Sequence, residues 1–320
     1  MNKRIAFWMV LAASLAMGSL APGCPKKDQA DRPGQAKKYR VALIMKSLAN
    51  EFFKTMEEGA VAHQKEHASE YELIAQGIKD EQDVTTQTNL VEQMIGRVDA
   101  IVIAPADSKA LVPVCKRAMD EGIVVVNIDN KFDEQVLAER KASIPFVGPN
   151  NRTGARLAGE YLAKKLKPGD KVAIVEGLPN AFNGVQRKLG FEDAMGAAGI
   201  KVETSQTANW ERDQAERVVS GIITQCPDLK ALLCANDSMA LGAVSALKSA
   251  GRNDVLVVGY DNIAAVQARM KEGRVLCTVD QHADKIAVFG IQCALDILKT
   301  KAAPGHRETS VDLITAESLK

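Results

Sequence analysis

The sequence predicts an α/β protein of two similar doubly wound lobes, each a parallel sheet with helices on both faces, and two observations carry that prediction. Short β-branched runs alternate with longer segments of helical periodicity. The chain also repeats itself: AIVIAPADSKAL (100–111) returns as ALLCANDSMAL (231–241), IVVVNIDN (123–130) as VLVVGYDN (255–262), and VALIMKSLANEFF (41–53) as VAIVEGLPNAFN (172–183). The offsets agree, at 131 from Val41 to Val172, 130 from Asp107 to Asp237 and 132 from Asp129 to Asp261. A period this long is a whole domain, so two lobes face each other across a cleft.

In order along the chain, strands are expected near 41–45, 71–75, 100–104 and 123–128, separated by helices near 51–68, 82–97 and 107–121. The second lobe repeats the pattern with strands near 171–176, 201–207, 230–235 and 255–260. A strand near 275–280 and a helix over 283–300 follow once that lobe is complete, so the chain is expected to cross back to the first. A return crossing implies several hinge strands rather than one linker.

With 320 residues, 46% hydrophobic and 25% charged, the chain can bury ordinary cores in two domains of roughly 130 to 150 residues. The net charge is +1 and the charges are well mixed, which argues against nucleic acid or an anionic surface as partner. Residues 1–24 read as an export signal: Asn2-Lys3-Arg4 is basic, Ile5 to Ser19 is apolar but short for a membrane span, and Ala21-Pro22-Gly23-Cys24 follows. This stretch resembles a bacterial lipoprotein signal, with Cys24 as the lipidated first residue, although Leu20 stands four rather than three positions before the cysteine. Cleavage after Ala21 is the alternative, and both imply export. Residues 25–38 are polar, hold two prolines and read as a flexible tether. The other cysteines, Cys115, Cys226, Cys234, Cys277 and Cys293, show no CxxC spacing and read mostly as small buried hydrophobes, with no metal site expected from them.

In open α/β sheets, ligands bind beyond the carboxyl ends of the strands. The residues there are Lys46 to Phe53, Asp129 and Asn130, Trp210, Asn236, Asp261 and Gln281. They are rich in groups that hydrogen-bond in pairs and in aromatics, and contain no nucleophile beside a base, so no enzyme and no cofactor are expected. Asn50 reads as a helix cap, and of the adjacent Phe52 and Phe53 one is expected in the core and one at the cleft. Asp129-Asn130 could be a turn former, but its recurrence as Asp261-Asn262 favours function. Two carboxylates at facing strand ends suit a ligand with several hydroxyls. Asp237 or its neighbour is expected to cap the following helix, leaving Asn236 to reach into the cleft. His63 to His67 matches the HxxEH pattern of inverted zinc peptidases but lies away from the strand ends with no third ligand nearby, so a solvated helix face is the better reading. No GxGxxG follows the first strand, and no P-loop or GxSxG occurs.

At VALIMKSLANEFF, VVNIDN, ALLCANDSMALGAVSALKSAG and VLVVGYDN the chain resembles the periplasmic sugar-binding proteins of ABC importers, the ribose, galactose and allose type, over Tyr39 to Lys320. The resemblance implies two α/β lobes, 39–148 with 282–311 and 149–281 with 312–320, joined by three crossovers near 148, 281 and 311. It implies that Lys46 and Asn50 bond ligand hydroxyls, that Phe52 or Phe53 covers one face of a sugar ring and that Trp210 covers the other. Asp129, Arg187, Asn236, Asp261 and Gln281 would complete a polar ring, although Arg187 alone reads as a surface residue. Glu51 replaces the family's usual Pro, and Asn130 stands where ribose binders carry Arg and allose-like ones Glu, which leaves the identity of the sugar open. Lys46 and Arg187 balance Asp129 and Asp261, so a neutral monosaccharide, polyol or cyclitol is expected. The resulting expectation is an exported monomer, periplasmic or at the cell surface and lipid-anchored at Cys24, that delivers its ligand to an ABC permease. The alternative is a sensor presenting a sugar or furanosyl signal to a chemoreceptor or sensor kinase.

Overall fold

The computed structural model describes residues 37–302 and 304–319. The expected signal, Cys24 and all but the last two residues of the expected tether lie outside the described residues. The first strand, β1 (Tyr39–Ser47), shows how the sheet is built. Val41, Leu43 and Met45 point into one buried cluster while Ala42 and Ile44 point into another, so both faces are covered and the strand is an unbroken apolar run.

From β1 the chain runs through α1 (Glu51–Glu66), β2 (Tyr71–Ile78), α2 (Val84–Met94), β3 (Ala100–Ile103), α3 (Val112–Asp120), β4 (Val124–Ile128), α4 (Glu134–Glu139) and β5 (Phe146–Pro149). The second lobe follows with α5 (Asn151–Ala163), β6 (Lys171–Glu176), α6 (Phe182–Ala197), β7 (Lys201–Thr207), α7 (Arg212–Gln225), β8 (Ala231–Cys234), α8 (Asp237–Ser249), β9 (Leu256–Val258), α9 (Ala264–Lys271) and β10 (Cys277–Asp280). Last come α10 (Ala283–Thr300), β11 (Arg307–Thr309) and β12 (Asp312–Thr315). One six-stranded sheet has the order β11-β5-β4-β3-β1-β2 and the other β12-β10-β9-β8-β6-β7, so the two share one topology. In each the order reverses beside its first strand, between β1 and β3 and between β6 and β8, which is where such sheets open a crevice.

The chain passes between the sheets three times: from β5 into α5, from β10 into α10 and from β11 into β12. The last passage explains one asymmetry. β11 runs parallel to β5 toward the cleft, and β12 continues away from the cleft, antiparallel to β10. Helix α10 returns to cover β3 and β4. At Gly290 it approaches so closely that a Cβ would stand 2.6 Å from Ile128 Cγ2.

The structure corrects several boundaries. The helix expected over 107–121 starts only at Val112, because the Asp107 carboxylate draws the amides of Lys109 and Ala110 into a turn (2.7 Å each) and Pro113 then sets the first helical turn. Helices α5 and α9 have no counterpart in the sequence reading, and neither have the shorter β5, α4, β11 and β12. The last four have six residues or fewer each, and β5 contains Gly148 and Pro149, which weaken any strand signal.

Candidate functional site

The carboxyl ends of β1, β4, β9 and β10, with the starts of α1, α6 and α8, surround a small cavity of about 20 Å³. It is lined by Lys46, Asn50, Phe52, Phe53, Glu81, Asp129, Asn183, Arg187, Trp210, Asn236, Asp261 and Gln281. Space of this size holds about one water molecule, so admitting a larger ligand requires the lobes to part.

On the first lobe, Asn50 caps α1 by accepting the Phe52 amide proton (3.1 Å), and its side-chain nitrogen donates to Glu81 Oε1 (3.1 Å). Lys46 is buried, with its Nζ 3.4 Å from Asp129 Oδ2 and 3.8 Å from Glu81 Oε2. Burial pushes the Glu81 carboxyl up to about 7, against the pull of Lys46. Phe52 and Phe53 are both buried and both line the cavity, their rings edge to face at 5.1 Å. The expected division into one core and one cleft residue therefore fails, because the first turn of α1 lies at the lobe's edge and the pair packs as a unit.

On the second lobe, Arg187 is held from every side. Its Nε donates to Asn151 Oδ1 (2.8 Å), its Nη1 to the Ala235 carbonyl (2.9 Å) and to Asp261 Oδ1 (3.2 Å), and its guanidinium lies 3.8 Å over the Tyr260 ring. Gln281 donates to the same Asp261 oxygen (2.7 Å). Burial raises the Asp261 carboxyl well above the ordinary range, with Arg187 opposing it. Asp129 and Asp261 both take positive φ, 60° and 120°, a region that Asp tolerates better than most residues. Their repetition is thus both a turn device and a means of aiming two carboxylates at the cavity.

Trp210 also sits at positive φ (71°), a conformation that costs a bulky residue about 1 to 3 kcal/mol and is retained mostly at functional sites. Its indole lies over the backbone of Gly177, where a Cβ would come within 2.2 Å. Three buried polar atoms of the cavity lining lack a hydrogen-bond partner, Asp129 Oδ2, Gln281 Oε1 and Trp210 Nε1, although Lys46 Nζ lies 3.4 Å from the first. Unmet hydrogen-bonding capacity of this kind is what a polar ligand would satisfy.

Two site expectations are revised. The cap of α8 is Asp237's neighbour Asn236 itself, which accepts from the Met239 amide (2.9 Å) while its Nδ2 donates to the Trp210 carbonyl (3.3 Å), so it is not left free and lines the cavity already engaged. Asp237 lies behind the wall, accepting from the Ile263 amide and Thr278 Oγ1, with its carboxyl pushed up to about 7 by burial. Asn130 does not line the cavity, because its side chain is spent on Pro105, Ser108 and, across the cleft, the Asn183 amide. Glu81 and Asn183 are cavity residues the sequence reading missed. The repeat held a signal for Glu81, which stands 130 residues before Glu211 beside Trp210 and donates its backbone N–H toward that carboxylate (3.5 Å). His63 and His67 stack on each other and bond Tyr71 and Glu70. The five described cysteines are free thiols.

A larger concavity of about 550 Å³ lies at the amino ends of β9 and β10. Its Arg252 and Arg269 are paired with Asp254 and Glu272, and none of its lining residues has a buried unpartnered polar atom among the described residues. The strand-end cavity, with its three, is the better candidate.

Two lobes that close over hydrogen-bonding groups and aromatic faces, with no nucleophile and base paired at the site, define a binding protein that clamps its ligand. Residues 41–302 match the sequence model of the periplasmic binding protein domain, and the chain belongs to this family, whose members bind rather than transform their ligands. It is 60% identical to the D-ribose/D-allose-binding protein of Pseudomonas aeruginosa over 286 residues, 87% of this chain and 89% of that one. It is 29% identical to the ribose import binding protein of Escherichia coli, over 88% of this chain and 92% of that one. Among solved structures it resembles an ABC transporter solute-binding protein from Burkholderia multivorans (TM-score 0.86, 57% identity, covering 88% of this chain and 100% of that one). It also resembles one from Actinobacillus succinogenes with bound D-allose (TM-score 0.83, 35% identity, covering 88% and 99%).

Proposed function

We propose that this protein captures a neutral aldose, of the ribose or allose class, between its two lobes outside the cytoplasm and delivers it to an ABC permease. The observation that carries the reading is the cavity itself: buried planar hydrogen-bonding groups from both lobes lie between Phe52 and Phe53 on one side and Trp210 on the other. Such groups bond adjacent hydroxyls in pairs, and the aromatic rings cover the apolar faces of a pyranose or furanose. The names of the relatives agree with this class. Lys46 already faces Asp129 and Glu81, and Arg187 already faces Asp261, so a sugar phosphate or uronic acid would bring an anion to cations that are each paired. The two lobes, 39–148 with 282–311 and 149–281 with 312–320, would turn about the three chain crossings to admit the sugar. Lipid attachment at Cys24 would hold the carrier near the permease, and Cys24→Ser should abolish incorporation of a labelled fatty acid.

Trp210 is the only Trp beyond Trp8 of the expected signal, so it reports on the site. Titration with D-ribose and D-allose should change its fluorescence, with a Kd on the order of micromolar or tighter by calorimetry. D-Ribose 5-phosphate should bind at least about a hundredfold more weakly. Tighter binding of the phosphate would overturn the assignment.

A further inference from the structure

The leading amides of a helix have no partner within it and need a cap. Helices α6 and α9 of the second lobe lack one of their own: their N-cap residues are Ala181 and Ile263, which provide no capping side chain. In each case the first lobe supplies it. The Phe182 amide donates to Ser108 Oγ (3.0 Å) and the Asn183 amide to Asn130 Oδ1 (3.2 Å), while at α9 the Ala264 amide donates to Glu51 Oε1 (2.8 Å). Ser108 Oγ also donates to Asn130 Oδ1 (3.3 Å), and Asn130 Nδ2 is anchored on the Pro105 carbonyl (2.9 Å), so the two acceptors on α6 form a fixed pair. Both residues are buried.

We propose that Ser108, Asn130 and Glu51 are positioning residues for ligand capture, acting as helix caps supplied across the cleft. The proposal rests on the cleft being the ligand site. When the lobes close, side chains of the first lobe satisfy the amino ends of two second-lobe helices, with oxygen acceptors at their positive dipole ends. When the lobes part, those amides return to water. Helix α6 also carries Arg187, so the same contact fixes the helix that presents the guanidinium to Asp261. Stabilising the closed state raises the apparent affinity without any contact to the ligand, because affinity scales with the population of the binding-competent conformer.

The test uses Ser108→Ala and Glu51→Ala in the full-length protein with D-ribose as the probe, followed by calorimetry and stopped-flow fluorescence. Each variant should weaken binding by about fivefold, chiefly through faster release, and the double variant by about twentyfold. Ser108→Thr and Glu51→Gln keep an acceptor oxygen and should restore most of the affinity, which a merely structural role would not predict. Unchanged affinity in the alanine variants, or equal loss in Ser108→Thr, overturns the proposal. If the wild-type protein binds neither D-ribose nor D-allose, the sugar reading fails, and the caps are judged on the ligand-free protein. Hydrogen exchange at the amides of Phe182, Asn183 and Ala264 should then be faster in the variants, and equal exchange overturns the proposal.

Discussion

The first lobe meets the cavity with two carboxylates around one cation, Lys46 between Glu81 and Asp129. The second meets it with one guanidinium, Arg187, fixed by Asn151, the Ala235 carbonyl, Asp261 and the Tyr260 ring. The starts of the first helices differ in the same way. Asn50 caps α1 from within its own lobe, while the residue 131 positions on, Ala181, leaves α6 to be capped by the other lobe. A shared sheet topology thus carries two kinds of wall. One leaves an acceptor unmet at Asp129, and the other leaves Gln281 Oε1 and Trp210 Nε1 unmet around a guanidinium locked by its own contacts, and is unfinished at its helix ends. Integrity of the site should therefore respond most to the second lobe, where one guanidinium ties together three segments.

Arg187→Ala is the sharpest way to break that contrast. It leaves Asp261 buried without its cation, with Asp237 nearby, so unfolding stability should fall by about 3 to 5 kcal/mol in a urea titration and sugar binding should be lost. If stability held, the second wall would not be a locked unit. Asp129→Ala should be gentler on the fold, because Lys46 keeps Glu81 as a partner, yet should weaken sugar binding by at least about tenfold through the loss of a charged acceptor. An equal loss of stability in the two variants would erase the difference between the lobes. Glu81→Gln is the smallest and most specific change. Folded Glu81 keeps its proton up to about 7 whereas the unfolded residue releases it near 4.5, so the folded state binds the extra proton between those values and loses stability as pH rises through them. The substitution should remove that slope, up to about 1.4 kcal/mol per pH unit, leaving the like-signed contributions of Asp237 and Asp261. Denaturation midpoints of variant and wild type from pH 5 to 8 would check it, and parallel curves would show that Glu81 keeps an ordinary pKa in the fold.

The repeat made the architecture legible, because parallel strands buried on both faces write themselves as apolar runs and recur at a fixed offset. Most of the cavity could be read by the same logic, since strand ends are fixed by strand positions. What escaped depends on tertiary detail. Arg187 alone looks like a surface residue, and only the meeting of Asn151, Ala235 and the Tyr260-Asp261 pair from three other segments makes it an interior one. Glu81 sits in IKDEQD, which reads as a polar turn until the lobes are brought together. Asn130 shows the opposite error. Its place beside Asp129 suggested a ligand contact, but the positive φ at Asp129 points the two side chains to different tasks.

The late return of α10 and β11 bears on how the chain acquires its structure. The patch of Val102 and Ile128 against which Gly290 packs belongs to the first lobe, yet its cover is made only after every strand of the second lobe except β12. A growing chain cannot complete its first domain before its second, contrary to the usual order in which amino-terminal domains finish first. The long sequence separation of these contacts also slows folding. A polypeptide that stays unfinished until about its three-hundredth residue remains threadable for most of its synthesis, as passage through a translocation pore would demand of the proposed exported carrier.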